Sequence, residues 1–344
     1  MTQGDTLKAL AEYSAEIGAN PHLIQSAGGN TSVKFGDQMW IKASGTVLKE
    51  ALEKDLFVGV DADGIASAVR ESSPLADQPQ EFLRTGDLRP SIETCLHAIL
   101  PGKFVVHVHC VNTIAGAVRQ DARDYFAARL NGFDWAFVPY AKPGAALAAE
   151  VLAAATIPKS VYVLANHGLL VSADTIEAVR HLMESVVSAV RSEPAEVPKP
   201  ANEPAKLSTQ IGTYSRAPVD HPMHFVAQSA FHAEQVAKSA LFPDQVVFCG
   251  KNLPLFDSLD DAEQAVRADG KTAGNKPPVA FMLRNKAAFL NDTASIAALE
   301  MVRCIGDVMS RVPEGTKLSL LTDEDCSRLL NWDAETHRQS MNSD

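Results

Sequence analysis

Two imidazoles one residue apart, His107 and His109, stand in the apolar run Val105-Val106-His107-Val108-His109. Side chains alternate along a strand, so residues two apart share a face. Two imidazoles on one face form a ready bidentate metal site. A lone buried histidine is ordinarily a satisfied core residue, but a buried pair needs two sets of hydrogen-bond partners. A third imidazole, His167, lies in Asn166-His167-Gly168, a tight turn between apolar strands that can aim it at a neighbouring strand's end. Gly168 permits backbone geometry that other residues resist. Three histidines with an open fourth position suit a catalytic zinc rather than a structural one. Cys110 follows on the opposite strand face and reads as a core thiol. Glu93 opens a helix that leads into the histidine-bearing strand, and it is the candidate base. An acid in a first helical turn is otherwise a dipole partner. Acid/base work near neutral pH asks for a Glu93 pKa raised by partial burial. His97, four residues on, reads as supporting rather than ligating.

Three polar tips accompany these residues: Gly29-Asn30-Thr31-Ser32, Ser44-Gly45-Thr46 and Pro90-Ser91. Backbone N–H groups, small hydroxyls and a helix N-terminus are the make-up of an anion cradle, to which Lys34 and Lys42 could add charge. Each tip alone is an ordinary turn.

The elements that must position these groups follow from pattern. Residues 4–18 read as an amphipathic helix. Strands are expected at 32–35, 39–43, 56–60, 104–109, 135–138, 161–164 and 169–171, with a hairpin turn at Phe35-Gly36-Asp37-Gln38 and another turn at Asp61-Ala62-Asp63-Gly64. Ser91 is the expected N-cap of a helix of roughly ten residues ended by Pro101-Gly102. Helices are also expected at 113–131, from Pro143 to about Ala155 and from Asp174 to about Val190. The Pro- and Glu-rich stretch 193–206 reads as a linker, dividing a metal-binding domain (1–192) from a C-terminal α/β domain without metal ligands (207–344).

The second part carries a weak echo of the first. Without gaps, Val161-Tyr162-Val163-Leu164 matches Val279-Ala280-Phe281-Met282, and Asn285 falls where His167 stands. Leu100-Pro101 before residues 104–107 likewise resembles Phe242-Pro243 before residues 246–249. The expectation is a worn internal duplication, with the bland alternative that any two strand–turn–helix units look alike.

Composition narrows the function classes. The chain has 344 residues, 46% of them hydrophobic and 21% charged, and a net charge of −11, which argues against nucleic-acid binding and adsorption to anionic membranes. No apolar run approaches membrane-spanning length and no signal peptide is evident. Five scattered cysteines without a CxxC pair suit a reducing, cytoplasmic compartment.

In order, Gly29-Asn30 with Ser32, Ser44-Gly45, Pro90-Ser91-Ile92-Glu93, His107-Val108-His109 and Asn166-His167-Gly168-Leu169 resemble the class II aldolase/adducin family. That family includes fuculose-phosphate and rhamnulose-phosphate aldolases and ribulose-phosphate 4-epimerase. The likeness covers about residues 5–192. The tail, Phe242-Pro243-Asp244-Gln245-Val246-Val247-Phe248 and Leu329-Leu330-Asn331-Trp332-Asp333-Ala334-Glu335, resembles the later part of the aldolase half of bifunctional rhamnulose-phosphate aldolase/short-chain dehydrogenase proteins. No Gly-x-Gly-x-x-Gly follows it, so no nicotinamide domain is expected.

The resemblance implies a three-layer α/β/α sandwich around a mostly antiparallel sheet, assembled as a homo-oligomer such as a tetramer. It implies that His107, His109 and His167 hold zinc, or another divalent metal such as manganese. Glu93 would be the acid/base, and Gly29, Asn30, Ser44, Gly45 and Ser91 would hold a phosphate. The implied reaction is aldol cleavage or formation in a small ketose or ketose phosphate through a metal-stabilised enediolate. A sugar-phosphate epimerase, a keto-acid-phosphate decarboxylase or an adducin-like binding module are the alternatives. Two departures matter. Ile92 stands where relatives often have a second serine, and the proton-donating tyrosine is not placed, with Tyr125 and Tyr140 both candidates.

Overall fold

The computed structural model describes residues 2–196, 210–269, 277–330 and 341. The expected linker is described only as far as Glu196, and Trp332-Asp333-Ala334-Glu335 lies outside the described residues. The chain divides into two compact units, Met1–Arg191 and Ser192–Asn331.

Alternation along one central strand sets the architecture of the first unit. In β5 (Phe104–Val108), Phe104, Val106 and Val108 enter one apolar cluster while Val105 enters another. The remaining strands are β1 (Asn30–Phe35), β2 (Gln38–Lys42), β3 (Phe57–Asp61), β4 (Leu83–Thr85), β6 (Trp135–Val138), β7 (Val161–Leu164) and β8 (Gly168–Ala173). They form an eight-stranded sheet in the order β4-β3-β2-β1-β5-β8-β7-β6. Neighbours are antiparallel except β6 and β7. One face packs on α2 (Ala62–Arg70), α3 (Thr94–Ile99) and α6 (Ala145–Ala154). The other packs on α1 (Gln3–Gly18), α4 (Val111–Ala117), α5 (Ala122–Arg129) and α7 (Ile176–Ala189). Each fully buried Val, Leu or Ile in these layers contributes roughly 1.5–3 kcal/mol. The result is the three-layer α/β/α sandwich.

Some local expectations shift. Asp61-Ala62-Asp63-Gly64 is not a turn but the start of α2, because the Asp61 carboxylate caps it by accepting the Gly64 N–H at 2.9 Å. The stretch 113–131 divides into α4 and α5. The helix expected from Ser91 begins only at Thr94: the Ser91 hydroxyl instead accepts the Glu93 N–H in a preceding turn.

The second unit is a mixed α/β body around a five-stranded sheet. Its strands are β9 (Gln210–Ile211), β10 (Tyr214–Arg216), β11 (Leu255–Phe256), β12 (Ala280–Leu283) and β13 (Ala287–Asn291). Their order, β9-β10-β13-β12-β11, repeats β1-β5-β8-β7-β6 of the first unit, and in each only the last pair is parallel. The hairpins repeat in register: Leu164↔Gly168 corresponds to Leu283↔Ala287. Asn166 and Asn285 both take positive φ, 54° and 57°. Each donates its N–H to the carbonyl of a neighbouring helix, Asn166 to Ala117 and Asn285 to Ala227. This is the shared topology an internal duplication requires.

The register also corrects the ungapped alignment by one residue. Lys286, not Asn285, stands where His167 stands, and Arg216, opposite Phe289, occupies the place of His107, opposite Leu170. Residues 246–249 are no copy of β5 either. They lie in a helix, Pro243–Cys249, because Pro243 with its preset φ opens a helical first turn.

Candidate metal centre and active site

All site elements meet at one end of the first sheet. Because β1 and β5 are antiparallel, Asn30 at the start of β1 stands opposite His107 near the end of β5. The β7–β8 turn brings His167 to that end, and the Ala43↔Pro90 bridge draws the segment before Glu93 alongside. Two glycines allow the approach. At Gly168 a Cβ would fall 2.3 Å from the Val108 carbonyl oxygen, and at Gly29 (φ 65°) one would fall 2.8 Å from that of His107.

The structure brings His107, His109, His167 and Glu93 together. Their ligand atoms all lie within 4.8 Å of one another, and all four residues are buried. His107 Nε2 is 3.1 Å from His109 Nε2 and 3.4 Å from Glu93 Oε1, while His167 Nε2 is 3.2 Å from the same oxygen. His107 Nδ1 donates to the Leu169 carbonyl at 3.0 Å, which leaves the Nε2 lone pair for the cluster centre. Buried Glu93 Oε1 has no conventional hydrogen-bond partner among the described residues. Converging imidazole and carboxylate donors of this kind fit a divalent cation. The fourth direction, expected to be open, is faced by Glu93 Oε1.

Electrostatics reverses the expectation for Glu93. Burial pushes its carboxyl pKa up, but the attraction of the facing His107 and His167 rings outweighs burial, holding it well below the usual carboxylate range. Burial also lowers His167, to about 4, against the opposing pull of Glu93. These directions favour a Glu93 carboxylate and a neutral His167 ring, the forms in which each could ligate a metal.

Asn30, expected at a phosphate, donates from Nδ2 to Glu93 Oε2 at 2.7 Å. His97 supports the site from below: its Nδ1 lies 2.8 Å from the Ser32 hydroxyl, and burial keeps its pKa well below normal. Lys34 is diverted from the tips. It donates to the Leu100 and Gly102 carbonyls beyond the end of α3, and burial lowers its pKa to about 8. Cys110 is a buried thiol packed in the opposite core, as expected. Tyr125 packs on that opposite face too, its ring in contact with the guanidinium groups of Arg119 and Arg129. Tyr140 follows β6, whose Val138 pairs with Leu164 just before the His167 turn. Sequence reasoning missed the Asn30–Glu93 bond and the buried bridging role of Lys42, since both depend on which strands pair.

Residues 8–193, more than half the chain, match the sequence profile of the Class II Aldolase and Adducin N-terminal domain. The chain belongs to this family. A curated relative, "Uncharacterized oxidoreductase YuxG" of Bacillus subtilis, is 29% identical over 197 residues, 53% of this chain but only 28% of that protein's length. Among solved structures, the N-terminal class II aldolase domain of a conserved Thermoplasma acidophilum protein is 28% identical. That match covers 55% of this chain and 93% of the other at a TM-score of 0.48. An L-fuculose-1-phosphate aldolase from Thermus thermophilus is 16% identical, covering 55% and 92% at 0.39. Among the described residues, no helix of this class II aldolase-family protein is long and apolar enough to cross a membrane.

Proposed function

We propose that the protein is a metal-dependent aldolase that cleaves or forms a carbon–carbon bond in a small ketose or ketose phosphate. The observation that carries this reading is the convergence of three imidazoles and one carboxylate beside loop tips made of glycine, asparagine and serine. An adducin-like binding module has no need for four buried donors, whose desolvation is costly without a ligand.

His107, His109 and His167 are the residues that would hold the cation. Bound there, zinc or manganese would polarise a substrate carbonyl and offset the negative charge that grows on its oxygen. Glu93 moves the proton at the carbon beside that carbonyl: as a carboxylate it takes it in the synthetic direction, and as the acid it returns it on cleavage. To do so its Oε1 must part from the imidazoles, while Asn30 retains Oε2. Gly29, Asn30, Ser44, Gly45 and Ser91 are the residues that would hold a substrate phosphate. Tyr140, which follows β6 next to the strand that leads into the His167 turn, would serve the departing aldehyde's hydroxyl. The acidic, cysteine-reduced chain suits the cytoplasm, and a homo-oligomer belongs to the same reading.

The test is Glu93→Gln, assayed on ketose phosphates and free ketoses with metal content measured in parallel. The expected result is near-complete loss of turnover with the metal retained. Unchanged turnover removes Glu93 from the role. A product with inverted configuration or released CO2, in place of an aldehyde, would mark the epimerase or the decarboxylase.

A further inference from the structure

Three polar contacts run in one direction along β1 and α3. Asn30 donates to Glu93, and two residues on the Ser32 hydroxyl lies 2.8 Å from His97 Nδ1. Two residues further, the Lys34 ammonium donates to the Leu100 carbonyl, where the helix ends. Asn30, Ser32 and Lys34 share one face of the strand because strand side chains alternate, and Glu93 and His97, four apart, share one face of a helical turn. The spacings agree: two strand residues advance about 6.6 Å and four helical residues about 6 Å. The Ser32–His97 contact is thus the rung next to the one that holds Glu93.

The other sides of α3 offer no such register. Cys95, Leu96, Ala98 and Ile99 enter the apolar cluster shared with α2 and α6. Apolar contacts are non-directional, so they press the helix on the sheet without fixing where along β1 it stops. Hydrogen bonds do fix it, because they weaken steeply with distance and angle. Ser32 and His97 are both 0% exposed, and among the described residues His97 Nε2 has no partner. With Ser32 donating to Nδ1, the hydroxyl proton and the Nδ1 lone pair are both satisfied; the opposite tautomer leaves the hydroxyl proton without an acceptor. Such a bond adds only about 1 kcal/mol net, against roughly 1.5–3 kcal/mol for a buried aliphatic side chain. The pair is therefore a poor way to fill a core and a good way to fix a register.

We propose that Ser32 and His97 are positioning residues for Glu93. Their bond sets where α3 stands along β1, and so how closely Glu93 Oε1 approaches His107 and His167, which face it at 3.4 and 3.2 Å. It also keeps the helix in place while the carboxylate moves away from the imidazoles to take or return a proton. The inference rests on the aldolase reading and adds to it two residues that act through Glu93.

Three variants test the bond. His97→Leu removes the ring, Ser32→Ala removes the hydroxyl, and His97→Asn keeps an acceptor near the place of Nδ1. The full chain is loaded with cobalt(II), whose visible absorption reports the ligands around it, and its spectrum is recorded without substrate. KM and kcat are then measured on ketoses. His97→Leu and Ser32→Ala are expected to lower kcat about 10- to 100-fold with KM changed less than about threefold, and to shift the cobalt spectrum as Glu93→Gln does. His97→Asn should keep the parent's spectrum and recover most of the turnover. The double variant Ser32→Ala/His97→Leu should lose no more than His97→Leu alone, because the two residues share one bond. Cobalt stoichiometry should be the same throughout. The inference is overturned if folded His97→Leu keeps the parent's spectrum or kcat, if His97→Asn is as impaired as His97→Leu, if the losses of the single variants multiply, or if cobalt itself is lost. If His97→Leu does not fold, Ser32→Ala and His97→Asn decide. A parent protein without turnover on any ketose would instead sink the aldolase reading, and the cobalt spectra would still decide the part played by Ser32 and His97.

Discussion

Asn30 Nδ2 donates to Glu93 Oε2 at 2.7 Å, joining the first residue of β1 to the residue that precedes α3. Sixty-three positions separate the two in sequence. The bond leaves Oε1 as the oxygen that faces His107 and His167. It fixes which way the carboxylate points and stabilises its anionic form. Asn30→Ala should keep the fold and lower turnover about 10- to 100-fold, the usual cost of losing such a supporting partner. Asn30→Asp should cost more, because it sets a second carboxylate against the first. Steady-state kinetics with metal analysis checks both; equal turnover in all three proteins would show that the bond orients nothing of consequence.

Removal of the cation should destabilise the first unit. Ligand binding confined to the folded state adds about 4 kcal/mol when the free ligand stands a thousandfold above its Kd. A chelator should therefore lower the melting temperature and abolish turnover, with zinc or manganese restoring both. His107→Ala, His109→Ala and His167→Ala should each lose the chelator-sensitive shift. Thermal scans with and without chelator make the comparison, and a parent protein indifferent to chelator would refute it.

Gly168→Ala should be severe for a change of one methyl group. The added Cβ would sit 2.3 Å from the Val108 carbonyl oxygen, a rigid backbone atom between the two strand histidines. Strands β5 and β8 would have to part, at about 3 kcal/mol in stability, and His167 would move with the turn. Denaturant unfolding and zinc stoichiometry should fall together; loss of stability with the zinc site intact would show that the turn does not position His167.

Acid should loosen the second unit. His221, His224 and His232 are buried, and burial lowers the pKa of each, that of His221 to about 4. His224 Nε2 pairs with the Ala217 carbonyl while its Nδ1 accepts the Ala288 N–H, an arrangement available only to the neutral ring. In the unfolded chain such rings take up protons near pH 6.5. Between that value and about pH 4 the unfolded state binds more protons, so stability falls as pH falls and is unaffected above pH 7. His221 alone accounts for about 3 kcal/mol by pH 4. Hydrogen exchange of peptides within 210–330 at pH 7 and pH 4.5 reads the effect. Equal protection at both values would contradict it.

The sequence by itself determined the chemistry-bearing residues and the period of the elements that carry them. His107 and His109 share a face because strand side chains alternate, and the apolar runs around them and around His167 are buried strands wherever they pair. Composition and the order of five short motifs were likewise legible without a structure. Pairing was not. Whether Asn30 faces a phosphate or Glu93, and whether Lys42 points to solvent or lies under two loop tips, depends on β1 lying between β2 and β5, a non-local choice no local pattern encodes. The same holds for the second unit. The repeat was readable as similar runs, but only strand register assigned Lys286 and Arg216 to the places of His167 and His107, because a single-residue slip exchanges every side chain between faces. The protonation of Glu93 was decided last of all. A carboxylate's pKa follows from what surrounds it in space, and here three imidazoles from two distant chain segments surround it.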